Sequence, residues 1–190
     1  MNDHQADEHL MRRVAAGERG AQEVVLRRVL RRLQVVAAAI LEHSEDAEDA
    51  TQAALIQILR RAETYRGGST IETWAMKIAA REALRIARER RLRAARTVSE
   101  AHASESTPAL PRRLASEIPR DIREYLRELP ETLRNALVLR HVCDYTIAEI
   151  AELLEVPSST VKDRLVRARS ALRRMIRREV DVPQRGRASQ

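Results

Sequence analysis

The sequence predicts an all-α chain: two small helical domains joined by a flexible linker, the second containing a helix-turn-helix. Three observations carry this. Apolar residues recur at three- and four-residue steps along most of the chain, and no strand-like alternation occurs. Aromatics are 2% of the 190 residues, with no Phe, which argues against a sandwich or barrel whose strands favour aromatic and β-branched side chains. The stretch from Thr97 to Pro119 is rich in Ser, Ala, Glu and Pro, and Pro108, Pro111 and Pro119 break any helix there.

Each element has its own signal. Val25, Leu26, Val29, Leu33, Val36 and Ile40 share one face of a first helix, with arginines opposite. A second runs from about Asp46 to Ala62 on Leu55, Ile58 and Leu59. Tyr65-Arg66-Gly67-Gly68 reads as a loop. Ser69-x-x-Glu72 is a capping box that opens a long helix to about Arg96, with Ile71, Ala75, Ile78 and Ile86 inward. Past the linker, Pro130 separates a helix over Arg120–Glu128 from one over Glu131–Val142. Thr146-x-x-Glu149 is a second capping box, followed by Ile147, Ile150, Ala151 and Leu154. Glu155 to Ser158 makes a tight break before a last helix with Val161, Leu165, Ala168, Leu172 and Ile176 on one face. The domain layout is therefore 1–96, a linker over 97–118, a second domain over 119–180 and a disordered tail over 181–190. Domains this small bury only about 60% of their unfolded surface, so a partner would help order both.

Composition excludes several classes. One cysteine, Cys143, leaves no internal disulfide and no multi-Cys zinc site. The polar, acidic N-terminus is not a signal peptide, and the longest apolar run, Val35–Leu41, is far short of a membrane span, so no membrane role and a cytoplasmic location are expected. The net charge is +7, and only Lys77 and Lys162 of the 35 basic residues are Lys. Arginine is the better phosphate and base-edge donor, which hints at nucleic acid, although a GC-rich genome also favours it.

Three constellations stand out. Thr146 to Arg173 has the lengths of a helix-turn-helix. Its charge is concentrated: residues 120–157 carry five basic and eight acidic groups, whereas 158–178 carry eight basic and one acidic. Ser158, Ser159, Thr160 and Lys162 sit where free N–H groups attract phosphate, and Asp163, Arg164, Val166 and Arg167 where side chains reach base edges. The bland alternative is a helical hairpin with a solvated basic face. Second, Lys77, Arg81, Arg85 and Arg88 form a basic stripe, with Tyr65, Arg66 and Trp74 just upstream. Rings beside arginines suit an opened single strand, but a helical Trp is often core and a basic stripe often merely solvated. Third, Glu42, Glu45, Asp46, Glu48 and Asp49 cluster in eight residues, with Gln52 one turn on. The helix dipole explains first-turn acids; a docking face for a basic protein surface explains them equally. Enzyme readings are poor: no phosphate-cradling Gly-rich loop, no triad, and nothing that completes a metal set around His141 and Cys143. No cofactor is expected.

The order of these motifs resembles a bacterial extracytoplasmic-function sigma factor, the minimal two-domain class known as group 4, over about residues 7–178. The motifs are Asp46-Ala47-Glu48-Asp49-x-x-Gln52; Tyr65-Arg66-Gly67 with Thr73-Trp74 and Ile78-Ala79; Leu129-Pro130; Leu139-Arg140; Glu149-Ile150-Ala151; and Val156-Pro157-x-x-Thr160-Val161-Lys162-x-Arg164-x-x-Arg167-Ala168-Arg169. The resemblance implies that Glu45, Asp46, Glu48, Asp49 and Gln52 dock on the β′ clamp helices of RNA polymerase core. It implies that the loop from Tyr65 to Thr70, with Arg66, Trp74, Lys77, Arg81, Arg85 and Arg88, opens the −10 promoter element and holds a flipped base. It implies that the helix-turn-helix reads duplex −35 DNA against the β flap, that the linker threads towards the RNA exit path, and that an anti-sigma factor holds the free protein.

Several positions depart from the family pattern. Ala53 replaces an acidic residue, Arg81 and Arg85 stand near the usual Asn and Asp, Ser159 replaces Gly and Asp163 replaces Ser. Glu155 occupies the turn position where Gly is usual, which strains a left-handed backbone. The reading from another class is a stand-alone helix-turn-helix regulator that binds duplex DNA without polymerase and has no need of the acidic cluster.

Overall fold

A computed structural model describes residues 3–96 and 121–185, with side chains over 4–94 and 121–180. Among the described residues all regular structure is helical. The chain divides into two units, one built on α1 to α4 and including residues 141–144, and one built on the rest of α5 to α8. The expected linker at 97–118 lies outside the described residues.

The first unit comprises α1 (Asp3–Ala15), α2 (Arg19–Ile40), α3 (Ser44–Arg60), a short 3-10 turn (Ala62–Thr64) and α4 (Ile71–Arg96). Its core is the stripe expected on α2: Val25, Val29, Leu33, Val36 and Ile40 are buried. They meet Ala50, Ala54 and Ile58 of α3 and Ile71, Ala75, Ala79 and Ala83 of α4, all buried. The alanines let backbones approach closely, so α4 needs few large side chains to fill its contact with α2 and α3. Ile86, expected inward, is only half-buried because α4 is leaving the core there.

The helix α1 was not expected. Its polar N-terminal half hides the periodicity, yet Met11 and Val14 are buried on α2. Gly17, at φ +83°, then reverses the chain, its N–H donating to the Val14 carbonyl and that of Glu18 to the Arg13 carbonyl.

The start of α4 also differs from expectation. The cap is Thr70, whose Oγ1 accepts from the Thr73 N–H at 3.2 Å. Ser69 and Glu72 form no capping box, because the helix starts one residue later than that box requires, and Arg28 of α2 takes the Glu72 carboxylate.

The second unit comprises α5 (Ile122–Glu128), α6 (Glu131–His141), α7 (Ile147–Leu153) and α8 (Ser158–Arg185). Asp121 caps α5 by accepting from the Arg123 N–H at 3.0 Å. The Thr146–Glu149 capping box forms in both directions, at 3.2 and 2.7 Å. Tyr125, Leu139, Tyr145, Ile150, Val161, Leu165 and Ala168 are buried. The α8 helix is described to Arg185, past the expected end at 180.

Candidate nucleic-acid interface

In the first unit, α3 and α4 carry the candidate residues. Glu45, Glu48, Asp49 and Gln52 are exposed on α3, as the docking reading requires. Asp46 differs: it is half-buried, and the Arg90 guanidinium of α4 donates to its carboxylate at 2.6 Å. A groove of about 500 Å³ opens there, lined by His43, Glu45, Asp46 and Asp49 on one wall and Arg85, Glu89, Arg90 and Arg93 on the other. One turn beyond Gln52, Ile56 is 51% exposed and gives the acidic ridge an apolar end. Sequence reading missed Ile56, although the spacing Glu45, Asp49, Gln52, Ile56 follows one helical face.

The loop before α4 is held from beneath. Tyr65 is buried, and its hydroxyl donates to the Ser69 carbonyl at 2.5 Å. Its ring meets Trp74 edge-on, with centroids 5.7 Å apart. Tyr65 therefore supports the loop, while half-buried Trp74 presents the aromatic surface. Burial, reinforced by the nearby Asp7 carboxylate, pushes the Tyr65 phenol up to about 12. Gly67 sits at φ +68°, a backbone conformation that favours glycine, and the Glu8 side chain lies against it where a Cβ would stand.

Beneath the loop lies a charged hub. Asp7, 5% exposed, accepts from the Ile71 N–H at 3.2 Å and from Arg28 at 2.6 Å. Arg28 also grips Glu72 with two donors at 2.7 and 2.9 Å. Those bonds to Glu72, then Asp7, raise Arg28 against the opposing effect of burial. Burial alone would raise Glu72; Arg28 overcomes it and holds the carboxyl below its usual range. The signal in the sequence was faint: an Asp-Glu pair followed by Leu10, Met11 and Val14 at helical spacing.

On α4 the stripe is only partly available. Arg81, Arg85 and Arg88 are exposed and Lys77 is half-buried. Arg85 bonds to Glu89 at 2.6 Å and Glu82 at 3.1 Å, Glu89 first, and both raise it. Exposed Arg66 curls back, its guanidinium donating to the Glu63 and Tyr65 carbonyls.

In the second unit, α7 props α8 through buried Ile150, Val161 and Leu165. The outward face of α8 carries Ser158, Ser159, Lys162, Asp163, Val166 and Arg167, all exposed; Thr160 and Arg164 are half-buried. Val166, 59% exposed between charged neighbours, offers an apolar contact of the kind thymine methyls accept. Arg167 lies 3.4 Å from Asp163, one turn earlier. The turn between the helices contains Glu155 at φ +54°, the left-handed position expected for it. Cys143, before α7, is buried, and burial pushes its thiol up to about 12. Among the described residues no His, Cys, Asp and Glu group has metal-binding geometry, and no helix is long and apolar enough to cross a membrane.

Comparison with known proteins matches two regions of the chain to known families. Residues 25–93 match the Sigma-70 region 2 family, and residues 120–172 match Sigma-70, region 4. The RNA polymerase sigma-H factor of Pseudomonas aeruginosa is 30% identical over 182 residues, covering 90% of this chain and 94% of the relative. The ECF RNA polymerase sigma factor SigM of Mycobacterium tuberculosis is 32% identical over 171 residues, covering 90% of this chain and 85% of the relative. The ECF RNA polymerase sigma-E factor of Escherichia coli is 30% identical, covering 90% and 95%. By fold, the chain is similar to the sigma factor RpoE of Bartonella quintana, solved with the anti-sigma factor NepR (TM-score 0.60, 23% identity, 80% and 94% covered). CnrH, solved with the cytosolic domain of CnrY, is similar at TM-score 0.54, with 19% identity and 90% and 96% covered. With both regions in sequence and relatives matched over most of their length, the chain belongs to the ECF sigma factors of bacterial RNA polymerase.

Proposed function

We propose that this sigma factor is of the group 4 class and that each of its exposed faces has one partner. The ridge of Glu45, Glu48, Asp49 and Gln52 docks on the β′ clamp helices of core polymerase. The loop around Gly67, with Trp74, Lys77 and Arg81, opens the −10 element and holds a flipped base, since an unstacked base needs a ring to stack on and cations for its phosphates. The outward face of α8 reads duplex −35 DNA, its N-terminal hydroxyls and Lys162 on phosphate and Asp163, Val166 and Arg167 on base edges. The β flap carries the second unit. Domains at 1–96 and 119–180, joined by 97–118, place one weak contact at each end of the promoter, and tethering makes the second effectively intramolecular. The protein catalyses no reaction itself and works in the cytoplasm, where polymerase is. The RpoE structure it resembles is a complex with an anti-sigma factor, which supports an anti-sigma partner for this chain as well.

The observation that carries the reading is the separation of sign: an exposed acidic ridge on α3, an aromatic and basic face on α4, and a basic outward face on α8, in the chain order of the two sigma regions. Run-off transcription with purified core polymerase and a promoter library tests it. Promoter-specific transcripts are expected. Tight duplex binding by the protein alone, with no transcript, would overturn it in favour of a stand-alone regulator.

A further inference from the structure

We propose that Asp7 and Arg28 are positioning residues for base recognition at the −10 element, holding the Tyr65–Thr70 loop in the geometry that captures an unstacked base. The proposal rests on the −10 role assigned to that loop above. Capture of a flipped base needs its pocket placed to within about 0.5 Å, which a free surface loop does not provide. Here the loop is fixed at both ends. At its exit, the carboxylate of Asp7 accepts the first free N–H of α4, that of Ile71, at 3.2 Å. At its entry, Tyr65 is tied to Ser69 by its hydroxyl and to Trp74 by its ring. Midway, the Glu8 side chain fills the space beside Gly67.

Arg28 joins these pieces. Its guanidinium reaches Asp7 of α1 at 2.6 Å and Glu72 of α4 at 2.7 and 2.9 Å, so three helices meet on one planar cation. Asp7 is almost fully buried, and Arg28 and the Ile71 N–H are the partners that satisfy its carboxylate there. That makes the arrangement discrete: the loop either sits on the hub or leaves a buried carboxylate without partners. Glu72 is adjacent to Thr73 and two residues before Trp74, so the pair also sets the first turn of α4, from which Trp74 projects. Asp7 and Arg28 bond to each other and to α4, not to the acidic ridge of α3, so base selection and polymerase docking are separable.

The test uses the full chain with core polymerase and two promoter libraries, one randomised across −10 and one across −35. Asp7→Asn keeps an oxygen for the Ile71 N–H but removes the charge that holds Arg28; Arg28→Gln removes the fork. For both, the preference for the selected −10 bases should fall about tenfold, while the −35 preference and core affinity stay within twofold. Glu72→Gln, which leaves the Asp7 contact in place, should give a smaller fall in the same direction and serves if Asp7→Asn does not fold. Unchanged −10 preference in a variant that forms holoenzyme overturns the proposal. Parallel loss of −10 preference, −35 preference and core affinity overturns it too, because a purely structural role predicts that pattern. A wild-type holoenzyme that shows −35 but no −10 base preference refutes the −10 assignment itself, a result distinct from either variant outcome.

Discussion

Cys143 and Tyr65 couple the fold to alkaline pH. Cys143 is raised from 9.0 to about 12 by burial, and Tyr65 from 10.0 to about 12 by burial and Asp7. Between those values the unfolded chain releases protons that the folded chain keeps, so the stability they contribute is complete below about pH 9 and declines as pH rises towards 12. Urea midpoints should therefore drop between pH 8 and 10.5, and Cys143→Ala should remove the part of the slope that begins near pH 9. A thiol reagent should label Cys143 only after denaturation. At Glu155 the φ of +54° costs a non-glycine residue about 1–2 kcal/mol, partly offset because glycine loses more freedom on folding. Glu155→Gly should thus stabilise the protein by about 0.5–1 kcal/mol in urea unfolding. The strain at Glu155 was readable from the turn's position in the motif. The burial of Tyr65 was not, since a Tyr beside Gly-Gly reads equally as a surface ring.

At the scale of elements, α7 and α8 follow their sequence closely because their signals are local: a capping box, a short turn and a stripe at helical spacing. On α8, Asp163 stands outward with Arg167 one turn away at 3.4 Å. A carboxylate accepts from cytosine N4 but repels phosphate, and a serine would also release Arg167. Asp163→Ser should shift the selected −35 base at one position by about tenfold or more, read by sequencing the promoters it transcribes; an unchanged profile would refute the base contact. The helices α1 and α4 were less legible. A capping box at Ser69 was the sound local reading, yet Glu72 went to an arginine 44 residues away. The same holds for α3, where Asp46 belongs to Arg90 and only its neighbours are left as a free ridge. Such exposed pairs contribute about 0–1 kcal/mol each, so they redirect side chains more than they stabilise the fold.

At the scale of the whole molecule, function depends on joining contacts that are separately weak. Asp49 lies exposed in the middle of the acidic ridge, so reversing its charge should leave both units folded. Asp49→Lys should lower affinity for core polymerase at least tenfold with an unchanged circular dichroism melt, since like charges across a docking face cost several kcal/mol. Retained core affinity would move the docking surface elsewhere. The net charge of +7 describes none of this, being a sum over an acidic ridge, a partly neutralised stripe and one strongly basic helix.

By itself the sequence determined the helical class, the helix-turn-helix, the division into two units and the family, because each depends on spacing along the chain, and spacing is written in the order of residues. Only the tertiary structure decided which charged groups are free to act. Asp7, Arg28 and Glu72 come from three helices and meet at the foot of one loop. No pattern within one helix can announce that meeting, because ion pairs form between groups that are neighbours in space. Burial decides which of them must stay paired.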